Sequence, residues 1–208
     1  KNLCLQAYHL LKTDYPELPP VRMHLHKMIP MGAGLGGGSA DGAFALRLLN
    51  KKYKLNIPTQ DLIGYAAKLG SDCPFFIINQ ACYATGRGEI LNSIQLNLSK
   101  YYFVLVNPGI HVNTKWAFEQ ITPAPSNKNL ASILSEPIEE WRDLLVNDFE
   151  APITKAYPAI GNIKNQLYQL GASYAAMSGS GSTVFGIFKM KPSDKIKSAF
   201  DCSVFITS

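Results

Sequence analysis

The stretch Pro30-Met-Gly-Ala-Gly-Leu-Gly-Gly-Gly-Ser-Ala-Asp41 decides the fold prediction, because five residues between Gly32 and Gly38 are glycine. Glycine adopts positive φ at little cost and lets backbone amides approach an anion without a Cβ in the way. Ser39 and Asp41 are residue types that cap helices, and the first amides of a helix attract phosphate. Residues 21–29 alternate apolar and polar side chains, which predicts a half-buried strand. The order of strand, glycine loop and helix indicates a nucleotide-phosphate site.

Other glycine-loop patterns fit this stretch less well. Gly32-x-Gly34-x-x-Gly37 matches the dinucleotide fingerprint, but the first acidic residue beyond Asp41 is Asp61, past a second predicted turn. A P-loop would end in Gly-Lys-Ser or Gly-Lys-Thr, and a protein-kinase loop would be followed by His-Arg-Asp and Asp-Phe-Gly. None of these patterns occurs in the sequence. A glycine-rich surface turn is the remaining alternative, although a turn rarely needs five glycines and a helix start.

The composition favours a folded protein that binds anionic small molecules. Of the 208 residues, 47% are hydrophobic and 17% charged, which suffices for a buried core. The sequence has no apolar run of 18 residues and no metal-binding spacing among its four cysteines. Its net charge of +5 suits phosphate ligands, whereas the scattered lysines and arginines argue against nucleic-acid binding. We expect a cytoplasmic protein with reduced thiols, without membrane or nucleic-acid partners, whose oligomeric state is left open.

Residues 30–40 read Pro-x-x-x-Gly-Leu-Gly-x-[Gly/Ser]-Ser-Ala, which resembles the phosphate loop of the GHMP kinases. The resemblance continues in family order through Gly70-Ser-Asp72-Cys-Pro-Phe-Phe and through residues 84–91, 106–114, 147–150 and 177–185. It covers nearly the whole chain. These blocks are similar to the branch that uses ATP to phosphorylate the 2-hydroxyl of 4-diphosphocytidyl-2-C-methyl-D-erythritol in the non-mevalonate isoprenoid pathway. A kinase for mevalonate phosphates or homoserine, or an inactive nucleotide-binding fragment, remains as an alternative.

The resemblance implies an α+β fold of the GHMP kinase type. It predicts a remnant of the N-terminal, ATP-binding α/β domain at residues 1–100 and a ferredoxin-like C-terminal domain at residues 101–208. Periodicity predicts helices at residues 42–53, 59–69 (with Thr59 as N-cap), 138–146, 160–170 and 193–200, a strand pair within residues 173–188 and a last strand at 204–206. Pro123, Pro125 and the polar residues 126–129 predict a surface loop.

The resemblance also implies the residues of the site. Asp72 corresponds to the catalytic aspartate, and its position between Gly70 and an apolar run predicts a partly buried carboxylate. Binding of ATP, as co-substrate with Mg²⁺, is implied for Pro30, Met31, Gly32, Ala33, Gly34, Leu35, Gly36, Gly37, Gly38, Ser39, Ala40, Asn2 and Lys27. Substrate contacts are implied for Thr114, Phe118 and Ser180. Ser39 is a candidate Mg²⁺ ligand, but no second acidic ligand is evident beside it, so no protein metal site is predicted.

The start of the sequence differs from the family pattern. Members of the family begin with a Pro-Ala-Lys-[Leu/Ile]-Asn strand, whose lysine lies beside the catalytic aspartate. No such motif occurs in this sequence, which opens at Lys1 with a segment resembling the helix that follows those strands. We therefore expect the chain to lack the first catalytic segment and to be inactive as it stands.

Overall fold

The computed structural model describes residues 2–122 and 129–207, which combine helices and antiparallel strands. The chain forms two compact units, and the glycine stretch is divided between them. The first unit contains Lys1–Met31 and Gly36–Gln95, and the second contains Gly32–Leu35 and Leu96–Ser208. The α+β fold class is confirmed. No helix in the described ranges is both long enough and apolar enough to cross a membrane.

The first unit is built mainly from helices. These are α1 (Leu3–Asp14), α2 (Gly37–Tyr53), α3 (Thr59–Leu69) and α4 (Cys73–Ile78), followed by a hairpin of β1 (Cys82–Thr85) and β2 (Ile90–Ser93). Asn2 begins α1 as its N-cap, with its side-chain oxygen accepting the amide of Cys4 at 2.8 Å. Leu11, Leu46 and Ala66, one from each of the first three helices, are fully buried in a common core.

The second unit is an antiparallel sheet with helices on both faces. Its strands are β3 (Tyr102–Asn107), β4 (Tyr174–Met177), β5 (Val184–Phe188) and β6 (Ser203–Thr207), in the order β4-β5-β3-β6. Its α-helices are α5 (Thr114–Glu119), α6 (Leu130–Ser135), α7 (Trp141–Leu144), α8 (Glu150–Ala156) and α9 (Pro158–Gln169); Ile138–Glu140 and Asp194–Ala199 form 3-10 helices. Along β4, Tyr174 packs with Trp141 on one face and Ala175 packs with Leu167 on the other.

The predicted strand at residues 21–29 is wrong. These residues form no ladder with any described strand, and Arg22, Met23, His24, Leu25 and His26 are all exposed. Alternating hydrophobicity reports which side chains can share a face, whereas a strand also needs a hydrogen-bonded neighbour.

The predicted start of α2 and the predicted N-cap of α3 need correction. Helix α2 begins at Gly37 rather than at residue 42, and Gly36 is its N-cap in the left-handed conformation, with φ of +62°. Ser39 and Asp41 therefore lie inside the helix and do not cap it. Helix α3 spans the predicted residues 59–69, but its N-cap is Pro58 rather than Thr59.

The predictions for the second half are largely confirmed. Strands β4 and β5 form the predicted pair, β6 contains residues 204–206, and α9 covers most of residues 160–170. Residues 138–146 form a 3-10 turn and the short α7 instead of one helix, and the helix at 193–200 takes the 3-10 form. The loop predicted at Pro123, Pro125 and residues 126–129 lies, apart from Asn129, outside the described residues. The domain boundary after residue 100 stays a prediction.

Two leucines on α2 allow a matched test of the first core. Leu46 is fully buried, whereas Leu48 on the same helix is 61% exposed. We expect Leu46→Ala to lower the free energy of unfolding by roughly 2–5 kcal/mol, because the truncation leaves a cavity. Leu48→Ala should change it by no more than about 0.5 kcal/mol. Urea unfolding measures both variants, and equal losses would contradict this assignment of the core.

Candidate functional site

The start of α2 presents backbone amides that the helix itself does not use. The first helical hydrogen bond runs from the amide of Ala40 to the carbonyl of Gly36, at 2.9 Å. The preceding amides, those of Gly37, Gly38 and Ser39, have no acceptor within the described part of the chain. Unpaired amides at the positive end of a 17-residue helix form a favourable place for an anion.

A lysine lies beside this helix start. Lys27 Nζ is 2.5 Å from Asp41 Oδ2, and both side chains are partly buried. A Cβ added to Gly37 would lie 3.2 Å from the same ammonium nitrogen. The extended segment before the glycine stretch therefore brings a cation to the amides of α2, while Asp41 balances part of its charge.

Asp72 lies immediately before α4 and is exposed, so the prediction of a partly buried carboxylate is wrong. Its neighbours Cys73 and Pro74 occupy the interior instead. The turn between β1 and β2 runs past the carboxylate, since a Cβ on Gly88 would be 3.6 Å from Asp72 Oδ1. Ser71 Oγ donates to the same oxygen at 3.4 Å. The carboxylate is therefore accessible to a ligand.

Helix α4 packs against the start of α2 within the first unit. Cys73 is fully buried, and its thiol lies next to the side chain of Ser39. Burial, with the nearby charge of Asp72, raises the pKa of this thiol above its usual value, while the polar side chain of Ser39 opposes the rise. A Cβ on Gly36 would lie 2.8 Å from the ring of Phe76. These contacts bring the segment that follows Asp72 against the second half of the glycine stretch.

The first half of the glycine stretch is held by a turn of the second unit, residues 178–183, called here the 178–183 turn. Ser178 Oγ donates to the carbonyl of Gly34 at 2.7 Å, and the amide of Thr183 donates to that of Ala33 at 3.1 Å. A Cβ on Gly34, whose φ is +77°, would lie 2.3 Å from the carbonyl oxygen of Ser178 and 2.8 Å from that of Gly181. No side chain fits at residue 34 without moving the backbone.

The implied substrate residues all belong to the second unit. Phe118 is 59% exposed, and its ring makes an edge contact with Phe149 at a centroid distance of 4.9 Å. Thr114 is exposed at the start of α5, and Ser180 lies half-buried in the 178–183 turn. Among the described residues, no hydrogen-bond partner engages the Ser180 hydroxyl, so this hydroxyl and the Phe118 ring remain accessible to a ligand.

Some residues that contact the glycine stretch or the backbone around the 178–183 turn were not predicted. The imidazole of His111 lies against Gly32, where an added Cβ would be 2.8 Å from Nδ1. Asn147 donates to the carbonyl of Gly179 at 2.8 Å, and Glu150 is a buried acid. For Asn147 and Glu150 the only sequence signal was the family block at residues 147–150, which did not indicate their contacts.

Comparison with known proteins gives consistent matches. Residues 2–80 match the GHMP kinases N terminal domain, and residues 129–207 match the GHMP kinases C terminal domain. The chain is 49% identical over 195 residues to a protein of Bacteroides fragilis named 4-diphosphocytidyl-2-C-methyl-D-erythritol kinase, covering 94% of this chain and 70% of that protein.

Solved structures show the same relationship. A crystal structure of 4-(cytidine 5'-diphospho)-2C-methyl-D-erythritol kinase superimposes with a TM-score of 0.86 at 28% identity, covering 99% of this chain and 77% of that one. Homoserine kinase from Cytophaga hutchinsonii gives a TM-score of 0.64 at 16% identity, with 100% and 76% covered. The second match shows likeness of fold alone.

Gly34 and Gly109 provide a matched test of the close approach at the 178–183 turn. Both have positive φ, +77° and +69°, but an added Cβ on Gly109 would meet nothing within 4 Å. We expect Gly34→Ala to cost about 1–3 kcal/mol more free energy of unfolding than Gly109→Ala, because only Gly34 is overpacked by the new methyl group. Chemical denaturation of the two variants measures the difference. Equal costs would show that Gly34 does not approach the turn so closely.

Proposed function

The chain belongs to the GHMP kinases, and on that premise we propose that the natural gene product containing it transfers the γ-phosphate of ATP to the 2-hydroxyl of 4-diphosphocytidyl-2-C-methyl-D-erythritol. Relatives at 49% identity carry the name of that kinase. The structural observation that carries the proposal is the packing of α4 against the start of α2, because it brings the Asp72 segment to the unpaired amides within one unit.

We assign the phosphates of ATP to residues 30–40. Support comes from the unpaired amides of Gly37, Gly38 and Ser39, from the positive end of α2 and from the ammonium of Lys27 beside Gly37. Donors fixed before the reaction stabilise charge on a transferring phosphoryl group without reorganising. We also propose that Asn2 lies near the nucleotide. Its side-chain oxygen caps α1, so only its remaining polar atoms are available to a ligand.

We propose Asp72 as the general base. It would accept the proton of the 2-hydroxyl while that oxygen bonds to the γ-phosphorus and the bond to the leaving ADP breaks. A base must come within hydrogen-bond reach of the proton it removes. The exposed position of Asp72 before α4 supports this role, because a substrate hydroxyl can approach the carboxylate directly.

We propose that Phe118 stacks on the cytosine ring and that Thr114 and Ser180 donate hydrogen bonds to the substrate. The exposed ring of Phe118 and its edge contact with Phe149 support stacking, because that contact leaves ring surface uncovered.

Mg²⁺ fits the proposal as a companion of the nucleotide. In the described ranges no group of three or more His, Cys, Asp or Glu residues could hold a metal ion. Ser39, within the proposed phosphate loop, and the exposed Asp72 are protein oxygens that could serve as ligands. Mg²⁺ is commonly held through substrate phosphates and water with only one or two protein ligands. When bound, it would neutralise phosphate charge. A cytoplasmic location and the lack of nucleic-acid and membrane partners stay predictions.

The role of Asp72 can be tested against another exposed acid of the same unit. We expect Asp72→Asn to keep the fold and ATP affinity but to lower kcat by roughly 10²–10⁴-fold, the usual contribution of a positioned base. Asp61→Asn, in the first turn of α3, should leave kcat unchanged. Release of ADP in the presence of the diphosphocytidyl alcohol measures kcat, using the natural gene product that contains these residues. An undiminished kcat for Asp72→Asn would remove this residue from the mechanism.

Gly38 allows a test of the phosphate site that spares the fold. A Cβ on Gly38 would meet only the thioether of Met31, at 3.9 Å, and Cβ atoms in helices point towards the N-terminus, where the phosphate would bind. We expect Gly38→Ala to weaken ATP binding by roughly tenfold or more through crowding.

The matched control is Gly64→Ala in the middle of α3, where a Cβ would meet nothing within 4 Å. It should leave ATP binding unchanged and stabilise the helix by about 1 kcal/mol. Calorimetric titration with ATP measures both variants. Parent-like affinity in Gly38→Ala would place the phosphates elsewhere.

A further inference from the structure

We propose that Asn147 and Glu150 are positioning residues that set the first half of the glycine stretch for ATP by holding the 178–183 turn. Neither residue touches Ala33 or Gly34 directly; both act through the backbone of Met177 and Gly179. The inference rests on the proposed function, because the segment that they position is part of the proposed phosphate loop. It adds two residues to that function.

Asn147 forms hydrogen bonds with the backbone on both sides of Ser178. Its side-chain Nδ2 donates to the carbonyl of Met177 at 2.9 Å and to the carbonyl of Gly179 at 2.8 Å. Its Oδ1 accepts the amide of Phe149 at 3.0 Å, which fixes the orientation of the side-chain amide. The carbonyls immediately before and after Ser178 are thus tied to one side chain.

Glu150 binds the backbone amide of Met177, whose carbonyl is bound by Asn147. It is only 8% exposed, and its Oε1 accepts the amide of Met177 at 2.6 Å. Its Oε2 is 2.5 Å from Lys164 Nζ on α9. A buried carboxylate is tolerated when it is paired and hydrogen-bonded in this way. Ile153 on α8 and Ile160 on α9 are buried in the core, so Glu150 and its partner Lys164 both stand on packed helices.

The 178–183 turn passes this constraint to the glycine stretch. It is closed by the amide of Ser178, which donates to the carbonyl of Thr183 at 2.8 Å. Ser178 Oγ then holds the carbonyl of Gly34, and the amide of Thr183 holds that of Ala33. Because Ser178 lies between the two carbonyls that Asn147 fixes, a displacement of the turn displaces Gly34 as well.

The contacts of Asn147 predict that a substitution there changes ATP binding more than it changes the stability of the fold. The side chain is partly exposed, and Gly179, one of its two acceptors, is exposed. Water can therefore replace the lost hydrogen bonds when Asn147 is changed, so the fold loses little. Water cannot replace the geometry that Asn147 imposes on Ser178, and the glycine stretch loses its fixed position.

The test compares Asn147→Asp with Asn129→Ala. Asn147→Asp keeps the size of the side chain but turns the donor into an acceptor facing two carbonyls. Asn129→Ala removes a side chain that makes a similar number of hydrogen bonds, to the amides of Ala131 and Ser132 at the start of α6, far along the chain from the turn. We expect Asn147→Asp to raise the KM for ATP about fivefold for each lost hydrogen bond, roughly 25-fold in total. Asn129→Ala should lower the Tm to a similar extent and leave the KM for ATP unchanged.

Glu150 offers a rescue experiment. Glu150→Gln keeps an oxygen that can accept the amide of Met177, whereas Glu150→Ala removes it. We expect Glu150→Gln to stay within about threefold of the parent KM for ATP, and Glu150→Ala to raise it about fivefold or more. An equal rise in both variants would assign the effect to the ion pair with Lys164 and would overturn the proposed role of Glu150.

Hydrogen exchange tests the same inference without nucleotide. The amide of Thr183 donates to Ala33, so its exchange in the free protein reports directly on the contact between the turn and the glycine stretch. We expect exchange at Thr183 to accelerate in Asn147→Asp and to match the parent in Asn129→Ala. If Asn147→Asp fails to fold, Ser178→Ala, which removes only the hydroxyl that holds Gly34, should raise the KM for ATP instead.

The outcomes separate the two proposals. A natural gene product that neither binds ATP nor releases ADP overturns the proposed function, and exchange at Thr183 then decides whether Asn147 positions the segment. An active parent whose Asn147→Asp variant shows parent-like KM for ATP and parent-like exchange at Thr183 overturns the inference. Equal KM changes in Asn147→Asp and Asn129→Ala would also overturn it, because they would reflect stability alone.

Discussion

The close approach of two backbone segments at Gly34 is the constraint on which the position of residues 33 and 34 against the 178–183 turn depends. The carbonyls of Ser178 and Gly181 occupy the space that a side chain at residue 34 would need. The approach allows Ser178 Oγ and the amide of Thr183 to hold two successive carbonyls of the glycine stretch. Glycine is required here for two separate reasons, a positive φ and the absence of a Cβ, and only the second is specific to this contact.

In the first unit, glycine has a different role, at the start of α2. Gly36 reverses the chain into α2 in the left-handed conformation, so no capping side chain covers the first amides of the helix. A serine or aspartate cap at that position would satisfy one of these amides and remove it from an incoming anion. Ser39 and Asp41 instead lie within the helix, where Ser39 meets Cys73 and Asp41 meets Lys27. The structure keeps the amides unpaired while the two polar side chains attach neighbouring segments to the helix.

Sequence reasoning predicted local features well and long-range ones poorly. The glycine stretch, α3 and the pair β4–β5 were predictable because periodicity and glycine content act over a few residues. The strand at residues 21–29 was predicted wrongly, since alternation cannot show whether a hydrogen-bonded neighbour exists. Burial of Asp72 was wrong because Cys73 and Pro74 take the interior positions, a choice decided by packing against α2. The contacts of Asn147 with residues 30 and 32 positions later have no local signature.

Those contacts of Asn147 and Glu150 follow from the position of β4 at the edge of the sheet. An edge strand leaves every second residue with backbone groups that face away from its only partner, and such groups need other acceptors and donors. At Met177 the amide is accepted by Glu150 and the carbonyl receives Asn147; two residues earlier, the hydroxyl of Tyr168 donates to the carbonyl of Ala175. Side chains from α9 and from the segment leading into α8 thus close the edge that a further strand would otherwise occupy. Because the 178–183 turn begins where β4 ends, the groups that satisfy this edge are also those best placed to fix the turn.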